Sequence, residues 1–123
     1  MDPGTAIREL KELSTQIEAV VLAAADGSPL ASTLPDARSE RVARLASDLV
    51  SRADGVRSDL GREALAQLQA ATPGGSVFVV LDSGRLAVAT TGPDPTVGLV
   101  FYDLKTLLRQ VADGAAKEEA ADA

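Results

Sequence analysis

SVFVVLDSGRLAVATTGPD, residues 76–94, predicts two strands joined by a tight turn, and this stretch decides the fold. Residues 77–81 are apolar without alternation, which is typical of a strand covered on both faces. Asp82-Ser83-Gly84 supplies the turn, residues 86–91 form the return strand, and Gly92-Pro93-Asp94-Pro95 ends it. The sequence is therefore organised around an antiparallel hairpin.

The segment before this hairpin, ALAQLQAA at residues 64–71, is ambiguous. Its composition has a strong helix propensity. However, Ala66, Leu68 and Ala70 alternate with glutamines, which is the period of a strand with one apolar face. Because Pro73-Gly74-Gly75 follows as a natural hairpin loop, we interpret the segment as a further strand paired with the next one.

Another hairpin is predicted near the N-terminus. Residues 19–25 are apolar, Asp26-Gly27-Ser28 supplies a turn in which glycine accepts a positive φ, and residues 30–34 return. Before this hairpin, Asp2-Pro3 has the acceptor and the proline of a helix start. The apolar residues that follow at helical spacing predict a first helix ending near Glu18.

A long helix is predicted between the two hairpins, ending at Gly61. Its apolar residues recur at helical spacing, so we expect one stripe to face the sheet. The stripe consists of Val42, Leu45, Ala46, Leu49, Ala53, Val56 and Leu60. Charged residues spaced four apart, acid before base, occupy the opposite side. They are Glu40, Arg44, Asp48 and Arg52.

Ala43 and Val50 widen the stripe on one flank, next to Ala46. A helix that packs only on its own sheet does not need that flank. Two interpretations stay open from the helix alone: indifferent small residues on a good helix, or a seam for a second copy of the chain.

A last helix and a polar tail close the chain. Thr96 can cap this helix, and large apolar residues recur at helical spacing over residues 97–111. We predict one domain over residues 1–113 and a flexible acidic tail over residues 114–123, which lack large apolar side chains. The order αββαβββα, with short turns between strands, indicates an α+β fold with a mostly antiparallel sheet.

The composition limits the available chemistry. The 123 residues include no histidine and no cysteine, and only 2% are aromatic. Without a histidine base or a thiol, the serines lack a partner that would activate them as nucleophiles. The carboxylates Asp82 and Asp94 are explained as turn residues. We therefore predict no enzyme activity, no catalytic residue, no cofactor and no metal site.

Charge and hydropathy limit the partners. The net charge of −6 repels phosphate backbones and anionic lipids, which argues against nucleic acid. The apolar run at residues 19–25 is far shorter than the ~20 residues that span a bilayer. The acidic first residues also lack the layout of a signal peptide. We expect no membrane insertion and a cytoplasmic location.

The ordered set of segments resembles the Roadblock/dynein-light-chain-seven family, in particular its bacterial MglB-like branch. Four stretches carry the resemblance, which covers roughly residues 7–111. They are AVVLAAADGSPLAST (19–33), SERVARLASDLVSRA (39–53), GGSVFVVLDSGRLAVATTGPD (74–94) and VGLVFYDLKTLLRQV (97–111). The resemblance implies a profilin- and longin-like fold, with a five-stranded antiparallel sheet and helices on both faces.

The resemblance also implies a homodimer that forms through the long helix and the neighbouring edge strand. The matching positions here are Ala43, Ala46, Val50, Ala66, Leu68 and Ala70. The functional theme of the family is the control of small Ras-like GTPases, so it implies such a GTPase as partner, which supplies the catalytic groups itself. We expect that partner to bind the charged side of the long helix. The residues selected there are Arg41, Arg44, Asp48 and Arg52.

Two other functions stay open. A sheet flanked by helices can enclose a ligand, which would make the protein a small-molecule sensor. The scarcity of aromatic residues counts against that function. The protein could also be a purely structural scaffold module in a larger assembly.

Overall fold

The computed structural model describes residues 1–61 and 66–122, with side chains up to residue 112. Three helices and five strands follow one another in the predicted order, αββαβββα. They are α1 (Pro3–Leu13), β1 (Ile17–Ala24), β2 (Pro29–Ser32), α2 (Asp36–Asp59), β3 (Gln67–Thr72), β4 (Gly75–Asp82), β5 (Arg85–Thr91) and α3 (Val97–Asp122). The strands form one sheet in the order β2-β1-β5-β4-β3, and every neighbouring pair is antiparallel. The α+β prediction is confirmed.

The burial of β4 on both faces explains why apolar and polar residues do not alternate over residues 77–81. Along β4, Phe78 and Val80 point to the layer that contains α1 and α3, whereas Val79 points to the layer that contains α2. All three side chains are buried. Successive residues of a strand face opposite sides, so a strand covered by helices on both sides needs apolar residues throughout.

The two core layers differ in the size of their side chains. The layer under α1 and α3 contains most of the large ones, and the rings of Phe78 and Phe101 meet edge to face at 5.1 Å. The layer under α2 is built mainly from alanine and valine. Consequently α2 contacts the sheet through small side chains. This contact determines which side of α2 faces away from the sheet.

Helix α1 ends earlier than the sequence predicted. Its last residue is Leu13 rather than a residue near Glu18, and Ile17 is the first residue of β1. The Ser14 hydroxyl accepts hydrogen bonds from the backbone N–H groups of Gln16 and Ile17, which turns the chain out of the helix. The start of α1 is confirmed, since the Asp2 carboxylate accepts from the N–H of Thr5 at 3.3 Å.

Strand periodicity prevails over helix propensity in β3. Residues 67–71 of the ambiguous segment lie in this strand, and the carbonyl of Ala66 accepts from the N–H of Leu81 at 2.9 Å. The remaining residues of that segment, 64 and 65, lie outside the described residues. At the other end of the chain, α3 continues to Asp122 and so includes residues 114–122 of the predicted tail. Residue 123 lies outside the described residues, and the flexibility of the tail stays a prediction.

Gly75 provides a test of this sheet. It lies at the start of β4, opposite Thr72, and a Cβ atom there would overlap the carbonyl oxygen of Thr91 on β5. We predict that Gly75→Ala lowers the free energy of unfolding by about 2 kcal/mol or more, because backbone must move to relieve the overlap. Gly74→Ala is the matched control, since nothing lies within 4 Å of its added methyl group. Urea denaturation measures both, and equal stability of the two variants would contradict the prediction.

A candidate protein-binding surface on helix α2 and strand β3

The face of α2 that contacts the sheet is set by its smallest apolar residues. Ala43 is completely buried, and Ala46 and Val50 are only 5% and 7% exposed. They pack in one cluster with Val79 and Val88 of the sheet. The prediction that Ala43, Ala46 and Val50 form a flank open to a second copy is therefore corrected, because they are covered by their own chain.

The larger apolar residues of α2, and Leu60 directly after its last residue, face away from the core. Leu45 and Leu60 are 67% and 69% exposed, Val56 is 62% exposed, and Leu49 is also exposed. At about 100° per residue these positions fall within about 60° of the helix circumference. We call Leu45, Leu49, Val56 and Leu60 the outer row. The prediction that these residues face the sheet is wrong.

The stripe was misassigned because two neighbouring rows share the helical period. The row of Ala43, Ala46 and Val50 and the outer row lie about 100° apart on the helix, so periodicity alone fits either one. Side-chain size separates them. A helix packs closely on a sheet through alanine and valine, and a surplus of leucine on the adjoining side indicates surface kept for another contact.

Strand β3 adds an open edge to this surface. It pairs with β4 on one side only and ends the sheet of the described residues. Leu68 is half-buried against the α2 layer, whereas Ala66 and Ala70 are exposed. An edge strand offers unpaired backbone groups to another strand, and this one contains neither proline nor charge to prevent such pairing.

The charged residues selected on α2 all lie on its solvent side. Arg41, Arg44, Asp48 and Arg52 are exposed. The Nε of Arg52 lies 3.0 Å from a carboxylate oxygen of Asp48, at the predicted spacing of four residues. Side chains this exposed contribute about 0.5 kcal/mol or less to stability, so the group is available for other contacts.

The turn of the first hairpin anchors the N-terminal half of α2. Gly27 is buried at φ +92°, and a Cβ atom on it would lie 3.3 Å from the Cα of Arg44 and the Cβ of Ser47. The Ser47 hydroxyl donates to the carbonyl of Ala25 at 2.8 Å. The N–H of Ser28 donates to the Asp26 carboxylate, which lowers the pKa of that carboxyl group. This turn therefore fixes the helix that carries the candidate surface.

The two carboxylates considered for catalysis lie at the end of β4 and after the end of β5. Asp82 is exposed as the last residue of β4, and Asp94 is exposed after β5, where it adopts a positive φ of 57°. Within residues 1–61 and 66–122 there is no cluster of three or more histidine, cysteine, aspartate or glutamate residues that could hold a metal ion. No helix of the described chain has the length and apolar character to cross a bilayer.

Comparison with known families agrees with the order of the elements. Residues 6–94 match the profile of the Roadblock/LC7 domain, which is well over half of the chain. The chain belongs to the Roadblock/LC7 family. Among curated proteins, none matches the sequence.

Solved structures of a Roadblock/LC7 domain and of two MglB proteins share the fold of this chain. A Roadblock/LC7 domain from Streptomyces avermitilis superposes with a TM-score of 0.85 at 19% identity, covering 94% of this chain and 99% of that one. The gliding protein MglB from Thermus thermophilus superposes with a TM-score of 0.74 at 16% identity, covering 94% of this chain and 92% of that one. MglB from Myxococcus xanthus superposes with a TM-score of 0.66 at 12% identity, covering 96% of this chain and 91% of that one. At these identities the likeness establishes the fold.

Gly27 tests whether the hairpin turn fixes α2 of this Roadblock domain. Gly27→Ala should lower the free energy of unfolding by about 2–3 kcal/mol, because positive φ and close contacts with α2 both oppose the added methyl group. Gly84→Ala is the control: it also has a positive φ, of 76°, but nothing within 4 Å, and should cost about 1 kcal/mol. Equal losses in urea denaturation would mean that packing of the turn against α2 contributes nothing.

Proposed function

We propose that this Roadblock protein is a homodimeric regulator or adaptor of a small Ras-like GTPase. The observation that carries the proposal is the outer row of leucine and valine on α2, together with the open edge of β3. Membership of the Roadblock/LC7 family supports the choice of partner, because the resemblance to that family implies control of small Ras-like GTPases.

In the proposed dimer, two β3 strands pair edge to edge and join two five-stranded sheets. The two outer rows then face each other across the joint, where they remove apolar surface from water. Burying one such side chain completely is worth about 1.5–3 kcal/mol before the costs of association. Leu68, Ala66 and Ala70 extend this contact on β3, while Ala43, Ala46 and Val50 support it from inside each subunit.

The proposed GTPase binds the charged side of the paired α2 helices. Arg41, Arg44, Asp48 and Arg52, together with Glu40 on the same side, carry a local charge of +1, from three arginines, one aspartate and one glutamate, on a chain whose net charge is −6. A positive patch on an acidic protein favours one orientation of an acidic partner surface and speeds the encounter. Both copies contribute such a patch, so the dimer offers a composite docking face.

The dimer is proposed to act by binding and positioning the GTPase, whose own residues perform hydrolysis. The sequence ATPGGS at residues 71–76 lacks the spacing and the lysine of a phosphate-binding loop. We assign no arginine of this chain to the GTPase active site. Acceleration of hydrolysis would then come from rearranging residues of the GTPase, and its absence would indicate an adaptor.

The dimer is tested by placing charge in the outer row. Leu45→Glu combined with Leu49→Glu should leave the subunit folded, because both side chains are exposed, and should abolish dimerisation. Leu13→Glu on α1 is the matched control, since Leu13 is an exposed leucine far from α2 in sequence. Sedimentation equilibrium at high micromolar concentration should give a dimer for wild type and control and a monomer for the double variant. A wild-type monomer would refute the dimer.

Partner binding is tested by removing two positive charges. Arg41→Ala with Arg44→Ala should weaken binding to a candidate GTPase of the same organism about tenfold, or 1.4 kcal/mol, and leave circular dichroism unchanged. Arg8→Ala with Arg109→Ala removes the same charge from exposed positions of α1 and α3 and should not weaken it. Binding and GTP turnover are measured with GDP- and GTP-loaded protein. If the α2 variant binds with wild-type affinity, the contact lies elsewhere.

A further inference from the structure

A groove runs between α1 and α3, on the face of the sheet opposite α2. It encloses about 250 Å³. On α3 its lining extends from Leu99 to Gln110, about three helical turns or 16 Å. Neither the outer row nor β3 contributes to it, so a dimer formed through those elements leaves the groove open.

Two hydrogen bonds connect α1 and α3, or the residues next to them, at the two ends of the groove. At one end the amino group of Met1 donates to the carbonyl of Gln110 at 3.2 Å. At the other end the backbone N–H of Thr96 donates to the side-chain carbonyl of Gln16. Both glutamines line the groove. A cleft held at both ends is formed before any ligand arrives, which lowers the ordering cost of binding.

The floor and the upper walls of the groove are leucine. Leu107 is buried and Leu10 half-buried in the core below, whereas Leu13 and Leu99 stand on the two sides at 83% and 48% exposure. Nothing among the described residues covers these two side chains. Both leucines line the groove between the antiparallel helices α1 and α3, and an apolar trough of this kind accepts one face of an amphipathic helix.

The charged residues that line the trough are acidic. Glu9 lies on the α1 side and Asp103 on the α3 side, and no lysine or arginine contributes to the lining. Partial burial raises the pKa of Asp103, and no cation of the described residues forms an ion pair with it. On α1, Lys11 is turned away, since its amino group donates to the carbonyls of Ile17 and Glu18.

We propose that this groove binds a basic amphipathic helix from a partner protein. Leucine-type side chains of that helix fill the trough between Leu13 and Leu99, and its lysine or arginine side chains pair with Glu9 and Asp103. A cation beside Asp103 compensates a carboxylate that burial disfavours. The proposal does not depend on the dimer or on the GTPase, since the groove lies within one subunit.

Two other occupants fit the groove less well. A second copy of the chain would bring acidic rim against acidic rim, and like charges across an interface oppose association. A small molecule would have a cleft of about 250 Å³, below the roughly 300–1,000 Å³ of usual ligand pockets. A basic helix satisfies both the charge and the length of the trough.

The test uses the full chain and a fluorescent 18-residue peptide with leucine on one helical face and lysine on the rest. Fluorescence anisotropy should show saturable binding at one site per subunit. Two control peptides separate the contributions: one with glutamate in place of lysine, and one of the same composition with the leucines scrambled. Both should bind at least tenfold more weakly. If the scrambled peptide bound with the same affinity as the amphipathic one, binding would depend only on the attraction between the basic peptide and the acidic protein. That result would overturn the proposal.

Variants then locate the site. Leu13→Ser with Leu99→Ser should weaken peptide binding at least tenfold, and Asp103→Asn should weaken it about threefold or more. Leu45→Ser with Leu49→Ser removes two exposed leucines from the outer row instead and should leave peptide affinity unchanged, whatever it does to the dimer. The proposal fails if the outer-row variant loses the peptide and the groove variants keep it. It also fails if Leu13→Ser with Leu99→Ser changes the oligomeric state, because the occupant would then be a second copy.

Discussion

The contact of Ala43, Ala46 and Val50 with the sheet sets the rotation of α2, and the surface of the protein follows from that rotation. Because these side chains are small, the helix lies close to Val79 and Val88, and its larger residues turn outward. A rotation of α2 by one helical position, about 100°, would turn the outer row towards the sheet. The hairpin turn at Gly27 reinforces the rotation, since a Cβ atom there would lie only 3.3 Å from the Cα of Arg44 and the Cβ of Ser47.

The rotation gives the molecule two different apolar surfaces on opposite faces of one sheet. The outer row and β3 form a broad surface without a rim, suited to a second copy of the chain. The groove between α1 and α3 is narrow and bordered by acids, which suits a basic helix. We propose that a protein without histidine or cysteine acts here as two docking surfaces on opposite faces of one sheet, each recognised by its apolar side chains and its charge.

The sequence predicted the strands well because their signals are local. Asp26-Gly27 and Asp82-Ser83-Gly84 specify turns, and the apolar run of β4 records a strand covered on both faces. The strand β3 was identified from alternation against its composition. Family resemblance added a single five-stranded antiparallel sheet with helices on both faces, which no local pattern contains, and the observed strand pairing confirms it.

The two surfaces were harder to predict because they depend on which side of a helix meets the sheet. Two rows of α2 fit the helical period equally well, and only packing distinguishes them. The end of α1 was missed because Ile17 continues the helical spacing, although the Ser14 hydroxyl ends the helix. Glu9 and Asp103 both line the groove although they are distant in sequence. No pattern in the sequence of one chain indicates that they lie near each other.

Chemical cross-linking through α2 tests the central claim most directly, because the chain has no cysteine of its own. A single cysteine is introduced by Leu49→Cys in the outer row, or by Tyr102→Cys at an exposed position of α3, and each variant is treated with a short bismaleimide. The account predicts a covalent dimer in high yield for the cysteine at position 49 and little for that at position 102. Equal low yields at both positions, or a higher yield at 102, would contradict it.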